Sequence, residues 1–434
     1  MSLRNLRRER KSLTSLISLT SLSSPQELLI THSPQPHFPK FFLTLQKYYT
    51  MSLRLLLAFD MYKGSLTSNE VAEAFARGWC DVMPDTEFDV IPIADGGDGI
   101  LATLVEALGG NYHVATVQGP LNGLVEARWG TIDDGATAII EMAEAAGLRL
   151  LKANERNPLR TTTYGVGELM ARALERGCGR VIIGLGGSAT NDGGMGLLQA
   201  LGVRFYDAGG TELEASGEAM CRVARVDATG LDARLRGVDI VIASDVDNPL
   251  FGERGAARVY APQKGATPDV VEYLDEGLRG YHSAVMEAVG GDYATMPGAG
   301  AAGGLGYGLM AFLGARVESG VELVLHLVGF EERAQHCDLI ITGEGRLDSQ
   351  PLMGKAPSGV LAVGKRLGVN VIAVGGGVEA EAEDALLEGG FYAVYASTPE
   401  GMPLEEAMKK ETAQQNLRRA ARHVASNYLS IMSL

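Results

Sequence analysis

Five loops of this 434-residue chain carry the residue types that could do chemistry. They are "FDMYKGS" (59–65), "ADGGDG" (94–99), "GLGGSATNDGG" (184–194), "ASDVDNP" (243–249) and "TGEGRLDS" (342–349). Each follows an apolar, strand-like run, and open α/β sheets bind ligands at the carboxyl ends of their strands. Asp95, Asp98, Asp245 and Glu344 are acids suited to Mg²⁺, which takes few protein carboxylates and leaves positions for phosphate oxygens. Lys63, Arg346 and Lys355 supply the positive charge that an anionic substrate requires in an acidic protein. A helix cap or an Asx turn explains any one of these acids equally well. It explains five such loops together poorly.

The third loop is the barest, with glycine at five of its eleven positions. Glycine lets main-chain N–H groups approach a ligand closely and adopt positive φ. A helix starting at "MGLLQALG" would aim its positive end at the same spot. Gly186, Gly187, Ser188 and Gly193 are therefore expected to hold an anion, and Asn191 a hydroxyl or a phosphate oxygen. A hydroxyl that attacks a phosphoryl group must lose its proton, and Asp192 has the chemistry to orient it and accept that proton late. The rival reading has Asp192 capping the helix. The same loop meets G-x-G-x-x-[GA] as "GLGGSA", with Asp207 ending a strand-like run about 20 residues later, the dinucleotide fingerprint. An NAD(P)-dependent oxidoreductase is therefore the alternative, and a non-catalytic small-anion-binding protein a further one. A Walker A loop is excluded: "SQPLMGKA" has Gly354-Lys355 but lacks the first glycine and the Ser or Thr after the lysine.

The elements that must position these loops alternate from Met51 onward. "LRLLLAF" reads as a buried strand and "SLTSNEVAEAFARGWCDVM" as an amphipathic helix capped by Ser65 or Thr67. "EFDVIPIA" and "ILATLVEALGG" continue a β–α–β–α run. From about residue 112, short alternating runs with turn signals indicate antiparallel pairs. After about 330 the β–α–β texture returns. The expected class is α/β: a discontinuous Rossmann- or flavodoxin-like parallel-sheet domain, 51–111 plus 320–434, with a mixed α/β domain, 112–319, inserted and the active site in the cleft between them.

Composition bounds the rest. A net charge of −15 argues against general nucleic-acid binding. No apolar run approaches the roughly 18 residues that a membrane span needs. Cys80, Cys178, Cys221 and Cys337 show no CxxC pairing, so cytosolic thiols are expected. His113, His326 and His336 stand alone and read as structural. Residues 1–50 are Ser/Leu-rich and carry +5 against −20 for the remainder. They read as a disordered extension, with a transit peptide as the less favoured reading.

Taken in order, "KGSLTSNEVAEAFARG", "PIADGGDG", "TTTYGVGEL", "GLGGSATNDGGMGLLQALG", "SDVDNPLFGERGAARVYAPQKGATP", "GAGAAGGLGYGLMAFL" and "DLIITGEGRLDSQPLMGKAPSGV" resemble the bacterial glycerate kinases over about residues 53–410. The resemblance implies transfer of the γ-phosphoryl of Mg-ATP to D-glycerate without a Walker A loop, with 2-phosphoglycerate favoured over the 3-isomer. ATP and Mg²⁺ would be the cofactors, glycerate the partner and the cytoplasm the location, with homo-oligomer formation left open. Lys63 and Arg346 would neutralise the carboxylate or the moving phosphoryl beside the base Asp192. Asp60, Gly96, Gly97, Gly345 and Lys355 would complete the substrate and nucleotide contacts. The family's A-P-D-S-[FY]-K reads Ala58-Phe59-Asp60-Met61-Tyr62-Lys63 here, and its A-D-G-G-E-G-T reads "ADGGDGI", with Asp98 one methylene shorter than Glu.

Overall fold

Successive residues of the strand Arg54–Phe59 enter different cores. Leu55, Leu57 and Phe59 pack with Phe75, Trp79, Leu417 and Val424, whereas Leu56 and Ala58 pack with Leu104, Val324 and Val360. A strand covered on both faces reads as a continuous apolar run, and such strands pair in parallel. The computed structural model describes residues 52–94, 96–97, 99–348 and 355–432. In it, Arg54–Phe59 is central to a five-stranded sheet in the order Ala393–Ala396, Asn370–Gly375, Leu339–Gly343, Arg54–Phe59, Glu87–Val90. All four pairings are parallel. Numbered along the chain, these strands lie 2-1-3-4-5, so the order reverses between Arg54–Phe59 and Leu339–Gly343.

A six-stranded mixed sheet runs Arg316–Glu318, Asp239–Ala243, Arg180–Gly184, Thr137–Glu141, Leu124–Ile132, Asn111–Gln118. The expected antiparallel pairs are its hairpin Asn111–Gln118 with Leu124–Ile132 and the next pairing to Thr137–Glu141. The other three pairings are parallel. One face of this sheet buries Ala138, Ile140, Val181, Ile183 and Ile242 against the helix Tyr164–Glu175. The other face, through Ile139, Ile182 and Val241, shares a core with Leu56, Ala58 and Ile340 of the first sheet. The helices Ile100–Ala107 and Gly320–Leu327 fill that shared layer. Two sheets are thus built around one common filling.

Local chemistry sets the helix ends. Thr67 caps the helix Ser68–Cys80 in a full capping box with Glu70. That helix lies along the C-terminal helix Lys410–Met432, where the Trp79 and Tyr428 rings sit 5.9 Å apart. His113 lies against Trp129 at 4.6 Å and within 3.0 Å of Thr131 Oγ1, a structural setting. Among the described residues, no helix is long and apolar enough to cross a membrane.

The tightest junction between the sheets is the loop after Ala94. Gly96 has φ +80°, and a methyl group there would lie 2.4 Å from Gly320 Cα. Gly109 also has positive φ, but a methyl group would meet nothing within 4 Å. Gly109→Ala should therefore show only the backbone penalty, about 1–2 kcal/mol. Gly96→Ala should add an overpacking cost of about 1–3 kcal/mol. Thermal melting checks this: Gly96→Ala is expected to melt clearly below Gly109→Ala, and equal melting points would refute the close approach.

Candidate active site

A cavity of about 480 Å³ opens at the reversal of strand order, over the carboxyl ends of Arg54–Phe59 and Leu339–Gly343. Lys63, Glu344, Gly345, Arg346, Asp348 and Lys355 line one part of it. The Lys355 ammonium lies 2.9 and 3.0 Å from the two Asp348 oxygens and 3.9 Å from Glu344 Oε1. Arg346 is largely exposed and pairs with Glu379 Oε1 at 2.6 Å. The bare backbones of Gly345, Gly376 and Gly377 also line the cavity. Met61, Met402, Leu404 and Met408 form an apolar rim, with Leu404 72% exposed. Tyr62 donates to Val374 O at 3.1 Å, and burial pushes its phenol well above the ordinary range. Ser65 Oγ, buried in the wall, has no hydrogen-bond partner among the described residues.

The second sheet reaches the same neighbourhood through the loop 96–99. A methyl group on Gly99 would meet Met61 Cε of the cavity rim, and the Gly99 N–H donates to Glu141 Oε2 at 3.0 Å. Glu141 ends the strand Thr137–Glu141 and is buried. Gly96 lies over the end of Asp239–Ala243, the strand that leads into the exposed Asp245. Asp60 ends the first strand, is buried, and accepts the Met61 N–H. Asp60, Lys63, Glu344, Arg346 and Lys355 thus gather at one sheet end, with Gly96, Gly97 and Asp245 at the adjoining one. Asp95 and Asp98 lie outside the described residues. No group of three His, Cys, Asp or Glu side chains among the described residues could hold a metal ion. Of the four carboxylates expected to hold a metal, the two described ones follow strands of different sheets: Glu344 after Leu339–Gly343 and Asp245 in the loop after Asp239–Ala243.

The glycine-rich loop departs most from expectation. Its helix is Met195–Ala200, six residues only, and its first N–H groups are already taken. Asp192 is fully buried. Its Oδ2 accepts from Thr163 N at 2.8 Å, Thr163 Oγ1 at 2.9 Å and Gly196 N at 3.2 Å, and its Oδ1 accepts from Gly194 N at 3.2 Å. Gly193 donates to Gly303 O. Burial pushes the Asp192 carboxyl up, and these four donors pull against it. Asp192 is thus corrected from proton acceptor to brace: both oxygens are occupied and solvent is excluded. The helix-terminus anion site is corrected with it, since the protein's own carboxylate fills that place. Ser188 and Asn191 are buried too, and both Asn191 amide atoms lack a partner among the described residues. Only Gly186 and Gly187 surface.

The dinucleotide reading fails in the structure. Arg204–Tyr206 pairs antiparallel with Arg225–Asp227 as a separate ribbon, outside both large sheets. Asp207 accepts from Gly209 N and Thr211 N, closing a turn. Three residues escaped the sequence reading. Asp348 lay inside a quoted loop. Glu141 ends a buried strand, the same signal that singled out the other acids. Lys264 is fully buried, donating to Ser188 Oγ at 2.7 Å and Thr190 O at 2.6 Å. Nothing in its local sequence announces that contact.

Replacing Asp192 by Asn turns one acceptor into a donor facing other donors. The cost of an unsatisfied buried group is about 1–3 kcal/mol. Asp192→Asn is therefore expected to melt at a lower temperature as well as to lose activity. Wild-type melting with lost turnover would restore Asp192 as the base.

The chain matches the model of the glycerate kinase family over residues 55–429. It is 44% identical over 375 residues to the glycerate kinase of Bacillus subtilis (strain 168), covering 86% of this chain and 97% of that protein. It is 43% identical over 374 residues to the glycerate 2-kinase of Escherichia coli (strain K12), with the same coverage of 86% and 97%. A crystal structure of a glycerate kinase 2 candidate from Salmonella typhimurium LT2 superposes with a TM-score of 0.78 at 41% identity, covering 88% of this chain and all of that one. The chain belongs to the glycerate kinase family.

Proposed function

We propose that the chain phosphorylates D-glycerate with ATP on the 2-hydroxyl, in the cavity at the strand-order reversal and the junction beside it. Family membership supports the reaction class, and the 43% identical relative called glycerate 2-kinase supports the 2-position. The placement rests on one observation: the cavity lining combines apolar side chains with glycines and cations. Its methionine and leucine rim suits a purine, and its glycines with Lys63, Arg346 and Lys355 suit phosphates. Glycerate is too small and polar to use such a rim. In this reading the five-stranded sheet is a flavodoxin-like domain, the mixed α/β domain 112–319 is inserted into it, and the enzyme works in the cytoplasm.

Phosphoryl transfer asks a protein chiefly for positioning and charge neutralisation. Glu344 and Asp348 are oxygen donors beside Lys355 and would hold Mg²⁺. The ion, when bound, neutralises charge on the phosphate oxygens. Lys63 and Arg346 would face the moving phosphoryl or the glycerate carboxylate. The bare Gly345, Gly376 and Gly377 would let phosphate oxygens approach the main chain.

Lys63→Ala is expected to lower kcat/KM at least ~10-fold, or about 1.4 kcal/mol of transition-state stabilisation. Leu404→Asp should raise the KM for ATP several-fold and leave that for glycerate unchanged. Steady-state kinetics with each substrate varied tests both, and a change confined to the glycerate KM in Leu404→Asp would remove the purine from the rim. Phosphorus NMR of the product is expected to show 2-phosphoglycerate, and 3-phosphoglycerate would overturn the regiochemistry.

A further inference from the structure

Lys264 is a fully buried cation that the proposed reaction leaves unused. It sits at the end of the short turn Pro262–Lys264, locked by Lys264 N donating to Ala261 O and Gly265 N to Pro262 O. Gly265, at φ +95°, would bring a methyl group within 2.4 Å of Arg156 O, so the turn has no room to shift. A fully buried ammonium is unfavourable unless paired and hydrogen-bonded, and an apolar side chain of similar volume is often more stabilising. Retaining a lysine here therefore needs a reason beyond packing.

The reason lies in what it touches. Its ammonium donates to the glycine-rich loop, to Ser188 Oγ and Thr190 O. Asp192, near the other end of the same loop, anchors it by accepting four bonds, two from Thr163 and one each from Gly194 N and Gly196 N. Asn191 lies between the two anchors, buried. The loop starts at Gly184, where a methyl group would lie 3.1 Å from the Gly96 carbonyl oxygen, so it leaves the strand at the junction of the two sheets. Of its buried and surface parts, only Gly186–Gly187 reaches solvent, immediately before the residue that Lys264 holds.

We infer that Lys264 is a positioning residue for phosphoryl transfer: its ammonium, held under the loop, sets where the Gly186–Gly187 tip presents its backbone to the acceptor substrate. This rests on the acceptor lying at the junction of the sheets, as proposed above. Burial lowers the Lys264 pKa to about 7, and the Asp192 charge opposes that shift. The nucleotide cavity is lined by other segments, so the effect belongs to the acceptor side and to kcat.

Lys264→Met keeps the length and removes the donors. The full-length variant is expected to melt no lower than the wild type by more than a few degrees. Its kcat with glycerate should fall at least 30-fold, its KM for ATP should change less than twofold, and amide exchange in the 184–194 segment should quicken. Ser188→Ala removes one acceptor and should lower kcat about 3- to 10-fold, with no further loss when combined with Lys264→Met. A wild-type kcat in Lys264→Met at unchanged melting overturns the inference, as does unchanged exchange in the loop or a KM for ATP that rises in step. If Lys264→Met fails to fold, Ser188→Ala decides: unchanged kcat or unchanged loop exchange rejects the brace. The underlying placement fails separately, through a silent Lys63→Ala.

Discussion

Gly96 and Gly99 pass between two sheets where a side chain would have no room, and the rest of the site depends on that passage. Gly96 lies against Gly320 and the end of Asp239–Ala243, and its carbonyl faces Gly184. Gly99 touches Met61 and donates to Glu141. One bare segment therefore contacts the carboxyl ends of strands from both sheets. A shared apolar layer beneath it, including Leu56, Ile139, Ile182 and Ile340, keeps those ends from separating. Close packing makes such a junction stiff, because interiors of this density leave little room for movement. A site that transfers a phosphoryl group between two substrates benefits from that stiffness, since its catalysis is chiefly positioning.

Charge is managed differently in the two halves of the site. Around the cavity, cations and carboxylates pair within reach of solvent: Lys355 with Asp348, half-buried, and Arg346 with Glu379, exposed. Solvent-accessible pairs of this kind contribute little to stability and are easily reorganised. They are suited to exchange partners when the phosphates of ATP arrive. Around the glycine-rich loop, Asp192 and Lys264 are buried and hydrogen-bonded, Asp192 by four donors and Lys264 to Ser188 and Thr190. Removing one member of such an arrangement leaves an unsatisfied buried group, which costs far more than losing a surface pair. The first set is built to change, the second to hold.

Much of the frame was legible along the chain. Alternating apolar runs and amphipathic helices identified the strands Arg54–Phe59, Leu339–Gly343 and Asn370–Gly375, because period and burial are local properties. The five polar loops were found because acids, lysines and glycines directly after such strands are visible as a string. The failures share a cause. "GLGGSATNDGG" looks like an open anion cradle, but Asp192, Ser188 and the Gly193 N–H are engaged by Thr163, Lys264 and Gly303, and Asn191 is sealed from solvent. "GVRFYD" looks like the next strand of a dinucleotide fold, but it pairs with a distant partner in a separate ribbon.

The sequence by itself determined the α/β class, the parallel character of the strands buried on both faces, and the family to which the motifs belong. Those follow from periodicity, composition and residue order, which need no neighbours to be read. Tertiary structure alone decided which loop residues face solvent and which are sealed. Lys264 meets Ser188 across 76 residues, and Asp192 meets Thr163 across 29. Whether a carboxylate is a base or a brace depends on how many donors the fold brings to it, and no spacing along the chain encodes that number.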